Sequence, residues 1–159
     1  MARPESLAQT SPAQEAHARG ALAHVLPVRV YYEDTDAGGI VYYANYLRFA
    51  ERGRTEFLRA RAPNAARALR EAGAAFAVRH CLADYRRPAR LDDALEVHTR
   101  VTAVGGASLT MGQDIRLNGD ILVSLVVKLA CIDRGGRPLR LGDDLLRELD
   151  NGINETKQD

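Results

Sequence analysis

The spacing of apolar positions changes period along this chain, and each change marks an element. Val28, Val30 and Tyr32 alternate with Arg29 and Tyr31, the period of two that belongs to a strand, so a first strand is expected over Pro27 to Glu33. Asp34-Thr35-Asp36-Ala37-Gly38-Gly39 follows and reads as an acidic turn, its glycines letting the backbone approach something closely. The period then lengthens: Tyr46, Phe49, Ala50, Gly53 and Phe57 lie on one stripe of a helix that Pro63 ends near Arg61. Gly53 on that stripe costs about 1 kcal/mol relative to Ala, and a close helix-to-sheet contact would explain it. Arg48, Glu51, Arg52, Glu56 and Arg59 occupy the other face, which reads as solvated.

A second helix is expected from Asn64 to Glu71, started by Asn64 and closed by Gly73. Alternation then returns. Phe76, Val78, His80 and Leu82 define one half-buried strand, and Leu95, Val97, Thr99, Val101 and Ala103 another. Gly105-Gly106 turns the chain into Leu109, Met111, Gln113, Ile115 and Leu117, and Asn118-Gly119 is a strong hairpin signal. Ile121 to Ile132 is apolar at almost every position, so it should be buried on both faces or lie at an interface. Asp143 to Asp150 can form a closing helix. Strand, long helix, short helix, then four strands joined by tight turns is an α+β order: a largely antiparallel sheet with one long helix against it. One such sheet leaves apolar surface and strand edges uncovered, so pairing with another subunit is expected.

Composition narrows the function. At 159 residues and 46% hydrophobic content, the chain is the size of one domain and can bury a core without metal or disulfide staples. Net charge is +1 with no basic stripe among aromatics, which argues against nucleic acid. No apolar run approaches the roughly 20 residues of a spanning helix, and the N-terminus lacks the apolar core of a secretory signal. Cys81 and Cys131 fit no metal spacing and read as reduced core thiols of a cytoplasmic protein. Residues 1–26 are Ala-rich with scattered Pro, Gln and Ser, the composition of a disordered extension. Residues 27–150 form the expected domain, and 151–159 a flexible tail.

Chemistry concentrates where the acidic turn meets the helix start. N–H groups at a helix N-terminus carry partial positive charge and can hold a developing oxyanion while a nearby carboxylate attacks or activates water. Asp34 and Asp36 could also simply cap the turn. A calcium loop is disfavoured, because Asn45 stands where its bidentate Glu is needed. His17 and His24 fall in the extension and His80 and His98 on strands, none near the turn in sequence. No nucleophilic Ser elbow is present.

Residues Arg29 to Arg59, with the run Tyr31-Tyr32-Glu33-Asp34-Thr35-Asp36-Ala37-Gly38-Gly39-Ile40-Val41-Tyr42-Tyr43-Ala44-Asn45-Tyr46 at their centre, resemble the signature of hotdog-fold acyl-CoA thioesterases of the 4-hydroxybenzoyl-CoA thioesterase type. The resemblance is nearest to the Tol-Pal-associated, YbgC-like subgroup. It implies a hotdog fold over residues 27–150, a sheet wrapped around a central helix, working as a homodimer or homotetramer with the active site at the subunit junction. It implies that Asp36 is the catalytic carboxylate and that the Tyr43 backbone N–H polarises the thioester carbonyl. It implies no metal and no redox cofactor. Gly39, Val41, Glu51 and Ser108 are the further candidates for substrate contact, and Arg86, Arg87 and Arg90 are the basic residues available for coenzyme A phosphates. Two departures stand out. The subgroup often carries His at the position of Tyr43, which a backbone donor tolerates. Gly105-Gly106-Ala107 replaces a turn that is often basic in relatives, which leaves room for an acyl carrier protein as thioester donor. The runner-up chemistry is a hotdog hydratase or dehydratase, and beyond enzymes, a non-catalytic acyl-binding or envelope-associated interaction protein.

Overall fold

A computed structural model of the chain describes residues 23–154, and side chains through residue 149. Five strands, β1 (Ala23–Arg29), β2 (Ala75–Tyr85), β3 (Ala94–Val104), β4 (Ser108–Leu117) and β5 (Asp120–Ile132), form one sheet in the order β1-β3-β4-β5-β2. All four pairings are antiparallel. Helix α1 (Tyr43–Arg61) lies across the inner face over β1 and β3, followed by α2 (Pro63–Glu71), against which the closing helix α3 (Asp143–Asn154) rests. This is the α+β architecture expected from the order of elements.

The helix stripe is the one the apolar spacing predicts: Tyr46, Phe49, Ala50, Gly53 and Phe57 are buried, joined by Asn45. A Cβ on Gly53 would stand 2.6 Å from Val97 Cγ1, 2.9 Å from Thr99 Oγ1 and 3.1 Å from Gln113 Nε2. The bare glycine therefore lets the helix backbone sit directly on β3 and β4. Gln113, fully buried beneath it, donates to the Ala50 carbonyl and to Thr99 Oγ1, both at 2.8 Å, and accepts from Arg54 at 2.9 Å. The β4–β5 hairpin turns at Asn118 (φ +51°) and Gly119 (φ +86°), the left-handed pair that a two-residue type I′ turn requires.

Several boundaries and one burial differ from expectation. β1 starts at Ala23, so residues 23–26, read as extension, belong to the sheet; residues 1–22 lie outside the described ones. His24, Leu26 and Val28 face inward there, and Pro27 is tolerated because β1 is an edge strand. The same strand does not reach Glu33. Its pairing ends after Val30, which exchanges backbone bonds with Asp92 and Asp93, and the chain then enters a 3-10 turn at Tyr32–Asp34. α2 begins at Pro63, a residue whose missing N–H suits the first helical position, one before the Asn64 cap expected. α3 continues past Asp150 to Asn154. β2 is not half-buried: Val78, Leu82 and Tyr85 are 54%, 43% and 42% exposed, and Cys81, expected in the core, is exposed with them while Cys131 is buried, because β2 is the far edge of the sheet and α1 lies mainly over β1 and β3. β5, second from that edge, buries Leu122, Val123, Ser124, Leu125 and Val127 in near succession, as its nearly continuous apolar run predicts, while Lys128 is exposed.

Candidate active site

The acidic turn is a tightly closed loop built against the start of α1. Thr35 and Val41 form an isolated antiparallel bridge, Asp36 N–H donates to the Ile40 carbonyl at 2.9 Å, and Tyr42 N–H donates to the Asp34 carbonyl at 2.9 Å. The loop reverses at Gly39, whose φ of +74° few other residues adopt, and Gly39 N–H returns a bond to the Asp36 carbonyl. Its two carboxylates differ in kind. Asp34 is buried and accepts from Tyr31 N–H at 2.8 Å, so its side chain ties the loop to the end of β1. Asp36 is exposed; one oxygen, Oδ1, accepts from Gly38 N–H at 2.8 Å, and the other carries no hydrogen bond to a described residue.

Tyr43, the first residue of α1, follows immediately. Asn45 N–H turns back to the Tyr42 carbonyl at 2.8 Å, which leaves the Tyr43 and Ala44 N–H groups without a partner among the described residues. Unpaired donors at a helix N-terminus form a small centre of positive potential. The Asn45 side chain is 7% exposed and donates from Nδ2 to the Asp34 carbonyl at 2.9 Å, bracing the loop against the helix.

A cleft of about 230 Å³ opens beside this junction, lined by Ile40, Val41, Tyr43, Tyr46, Tyr85 and the Arg86-Arg87-Pro88 segment. Its wall is aromatic: Tyr85 meets Tyr43 and Tyr46 edge-on, with ring centroids 6.1 and 5.9 Å away, and its hydroxyl donates to the Tyr43 carbonyl at 3.3 Å. Tyr46 accepts at its hydroxyl from Ala89 N–H at 2.8 Å, and the Ala89 carbonyl receives Val41 N–H at 2.9 Å, so the segment after β2 is stitched to both loop and helix. Burial pushes the hydroxyl pKa of Tyr46 above its ordinary value, against the opposing effect of the Ala89 bond, and burial likewise raises that of Tyr85. Both rings present neutral hydroxyls at ordinary pH.

The expected residues divide accordingly. Val41, Tyr43, Arg86 and Arg87 line the cleft, and Asp36 and Gly39 lie on the adjoining loop, outside that lining; Arg86 pairs with Asp84 at 3.1 Å and Arg87 with Asp120 at 2.9 Å. Arg90 lies just past the cleft, its backbone held by Asp93. Glu51 is two turns along α1 on an exposed face, accepting from Thr55 at 2.7 Å. Ser108 starts β4 opposite Ala130, at the other end of the sheet from Tyr85, which pairs with Val123, and so stands apart from the cleft within this chain. Among the described residues no imidazole lines the cleft: His80 is exposed on β2, and His98 engages Glu96 at 2.9 Å on β3. Among the described residues, no group of three or more His, Cys, Asp or Glu could hold a metal ion. Asn45, Tyr85 and Ala89 escaped the sequence reading. Only Asn45 left a signal there, as a polar residue beside the apolar stripe.

The sequence profile of the thioesterase superfamily matches residues 38–124, from the closed loop through α1 into β5. The chain belongs to this thioesterase superfamily. Over 109 residues, covering 69% of this chain and 80% of the relative, the thioesterase is 49% identical to the acyl-CoA thioesterase YbgC of Haemophilus influenzae. It superposes with a TM-score of 0.71 on the crystal structure of a probable thioesterase from Bartonella henselae, at 39% identity, covering 76% of this chain and all of that one. A thioesterase from Thermus thermophilus, solved with coenzyme A and Zn, superposes with a TM-score of 0.70 at 26% identity, over 81% of this chain and 92% of that one. The sheet wrapped around α1 is the hotdog fold of these thioesterases.

Proposed function

We propose that this thioesterase hydrolyses acyl-CoA thioesters with short, medium or aromatic acyl groups to the free acid and coenzyme A, using Asp36 as its carboxylate and the Tyr43 N–H as its oxyanion donor. The observation that carries the reading is the exposed Asp36 carboxylate, one oxygen fixed by Gly38 and the other unengaged, on a loop closed against a helix start with unpaired N–H groups. The unengaged Asp36 oxygen attacks the thioester carbonyl carbon or takes the proton of the water that does. The carbonyl oxygen gathers negative charge toward the Tyr43 N–H, and the thiolate leaves; with water as nucleophile the free acid forms at once, and with Asp36 as nucleophile a mixed anhydride forms that water then hydrolyses to the acid and the free carboxylate. The aromatic cleft receives apolar parts of the substrate, and Arg86 and Arg87 offer cations to phosphate at its rim.

Support for coenzyme A as the thiol comes from the Haemophilus relative, named an acyl-CoA thioesterase, and from the coenzyme A complex of the Thermus thioesterase. An acyl carrier protein is the alternative donor. The working species in this reading is a cytoplasmic homodimer or homotetramer; no helix among the described residues is long and apolar enough to cross a membrane.

The test is thiol release from a panel of acyl-CoAs by Asp36→Asn beside Asp34→Asn. Asp36→Asn keeps size and the Gly38 contact but removes the base and nucleophile, so turnover should fall by about 10² to 10⁴ with folding intact. Asp34→Asn retains an acceptor for Tyr31 N–H and should lose far less. A folded Asp36→Asn enzyme with wild-type turnover refutes the assignment, and Glu51 becomes the carboxylate to test.

A further inference from the structure

We infer that Asn45 is a positioning residue for thioester hydrolysis, its side-chain amide fixing the Asp36 loop against the N–H groups that open α1. The inference rests on the roles of Asp36 and Tyr43 proposed above. The Asp34 carbonyl is the junction: it accepts Tyr42 N–H and Asn45 Nδ2, both at 2.9 Å, and a carbonyl's two lone pairs accommodate both. The first of these bonds is backbone to backbone and does not depend on the Asn45 side chain. The second is the only side-chain bond between the loop and α1 among the described residues. Asp36 stands two positions beyond that junction, so a shift of the Asp34 carbonyl relative to α1, which is held on the sheet through Gly53 and Gln113, is passed to its carboxylate.

Helix stability alone does not account for this residue. Asn is a weaker helix former than Ala or Leu, and its buried amide requires a partner that an apolar side chain would not. What the amide supplies is a fixed separation between carboxylate and helix start, and a misplacement of about 1 Å between reacting groups costs on the order of 10²-fold in rate.

The experiment measures kcat and KM for Asn45→Ala, Asp36→Asn and the double variant on one acyl-CoA, with Ser124→Ala as a stability control. Ser124 makes a buried 2.9 Å bond to Asp114, and among the described residues neither lines the cleft or bonds to the Asp36 loop, so losing it costs stability without touching the loop. The expected result is a fall in kcat of about tenfold or more for Asn45→Ala, KM within about threefold of wild type, and no further fall when the change is added to Asp36→Asn, because groups that act as a unit are not additive. Ser124→Ala should keep its kcat. Wild-type kcat in Asn45→Ala, losses that multiply in the double variant, or an equal kcat loss in Ser124→Ala overturns the inference. Asp36→Asn read on its own separates this from failure of the parent assignment: if that variant turns over normally, the parent reading falls and the inference falls with it. Should Asn45→Ala not fold, Asn45→Asp decides. Its carboxylate cannot donate to the Asp34 carbonyl until protonated, so its kcat relative to wild type should rise as pH falls, and a flat ratio overturns the inference.

Discussion

At the scale of single residues, the four tyrosines around the cleft do different work although the sequence presents them as one aromatic run and an outlier. Tyr42 and Tyr43 are exposed rings at the helix start, Tyr46 is buried, and Tyr85 arrives from a strand 42 residues on from Tyr43. Tyr46→Phe removes the acceptor of a buried amide, Ala89 N–H, and should cost about 1–3 kcal/mol in urea unfolding. Tyr85→Phe removes a longer, exposed contact and should stay within about 0.5 kcal/mol. Equal losses in the two would refute the distinction. Asp36 and Tyr43 could be put forward from sequence because the features that single them out are local: a carboxylate, two glycines and a helix start within eight positions. Tyr85 and Ala89 could not. Their partners are far along the chain, and nothing in the alternation of β2 distinguishes a strand end that meets α1 from one that meets solvent.

At the scale of elements, the apolar period located α1, β3, β4 and β5 nearly to the residue, since each buries one stripe or face against a neighbour. It failed where burial has another source. β1 was displaced because its pairing with β3, and not its own alternation, decides where it ends. β2 alternates like a half-buried strand, yet α1 lies mainly over β1 and β3 and meets β2 at its Tyr85 end. Gly53 is the element-scale test. Helix propensity alone favours Ala by about 1 kcal/mol, but the added methyl would lie 2.6 Å from Val97 Cγ1 and 2.9 Å from Thr99 Oγ1. Overpacking of this kind costs about 1–3 kcal/mol, so Gly53→Ala should be destabilising overall in urea titration, and a more stable variant would mean the helix can lift without penalty.

At the scale of the whole molecule, the uncovered edge of β2 bears on assembly. It pairs with β5 on one side, and its other side carries no strand among the described residues, with Val78, Leu82 and Tyr85 exposed along it. Edges of this length and apolarity invite pairing. If the working species is the homo-oligomer proposed above, Leu82→Lys should shift the protein toward monomer in light scattering while circular dichroism stays unchanged, and turnover should fall with the shift. A fully active monomer would refute a shared site. The contact at Gly53 has a mechanical side as well. There the helix backbone rests on the side chains of Val97, Thr99 and Gln113 with no room for a methyl, so a core substitution that disturbs α1 should tilt it about that point more readily than it drives it inward. Tyr43 stands ten residues away, roughly 15 Å at 1.5 Å per residue, and a tilt of about 4° then carries its N–H through roughly 1 Å. On the roles proposed above for Tyr43 and Asn45, the helix would act as a lever that returns a short displacement at its Phe57 end to the oxyanion donor, with the Asn45 amide as the stay that limits its swing.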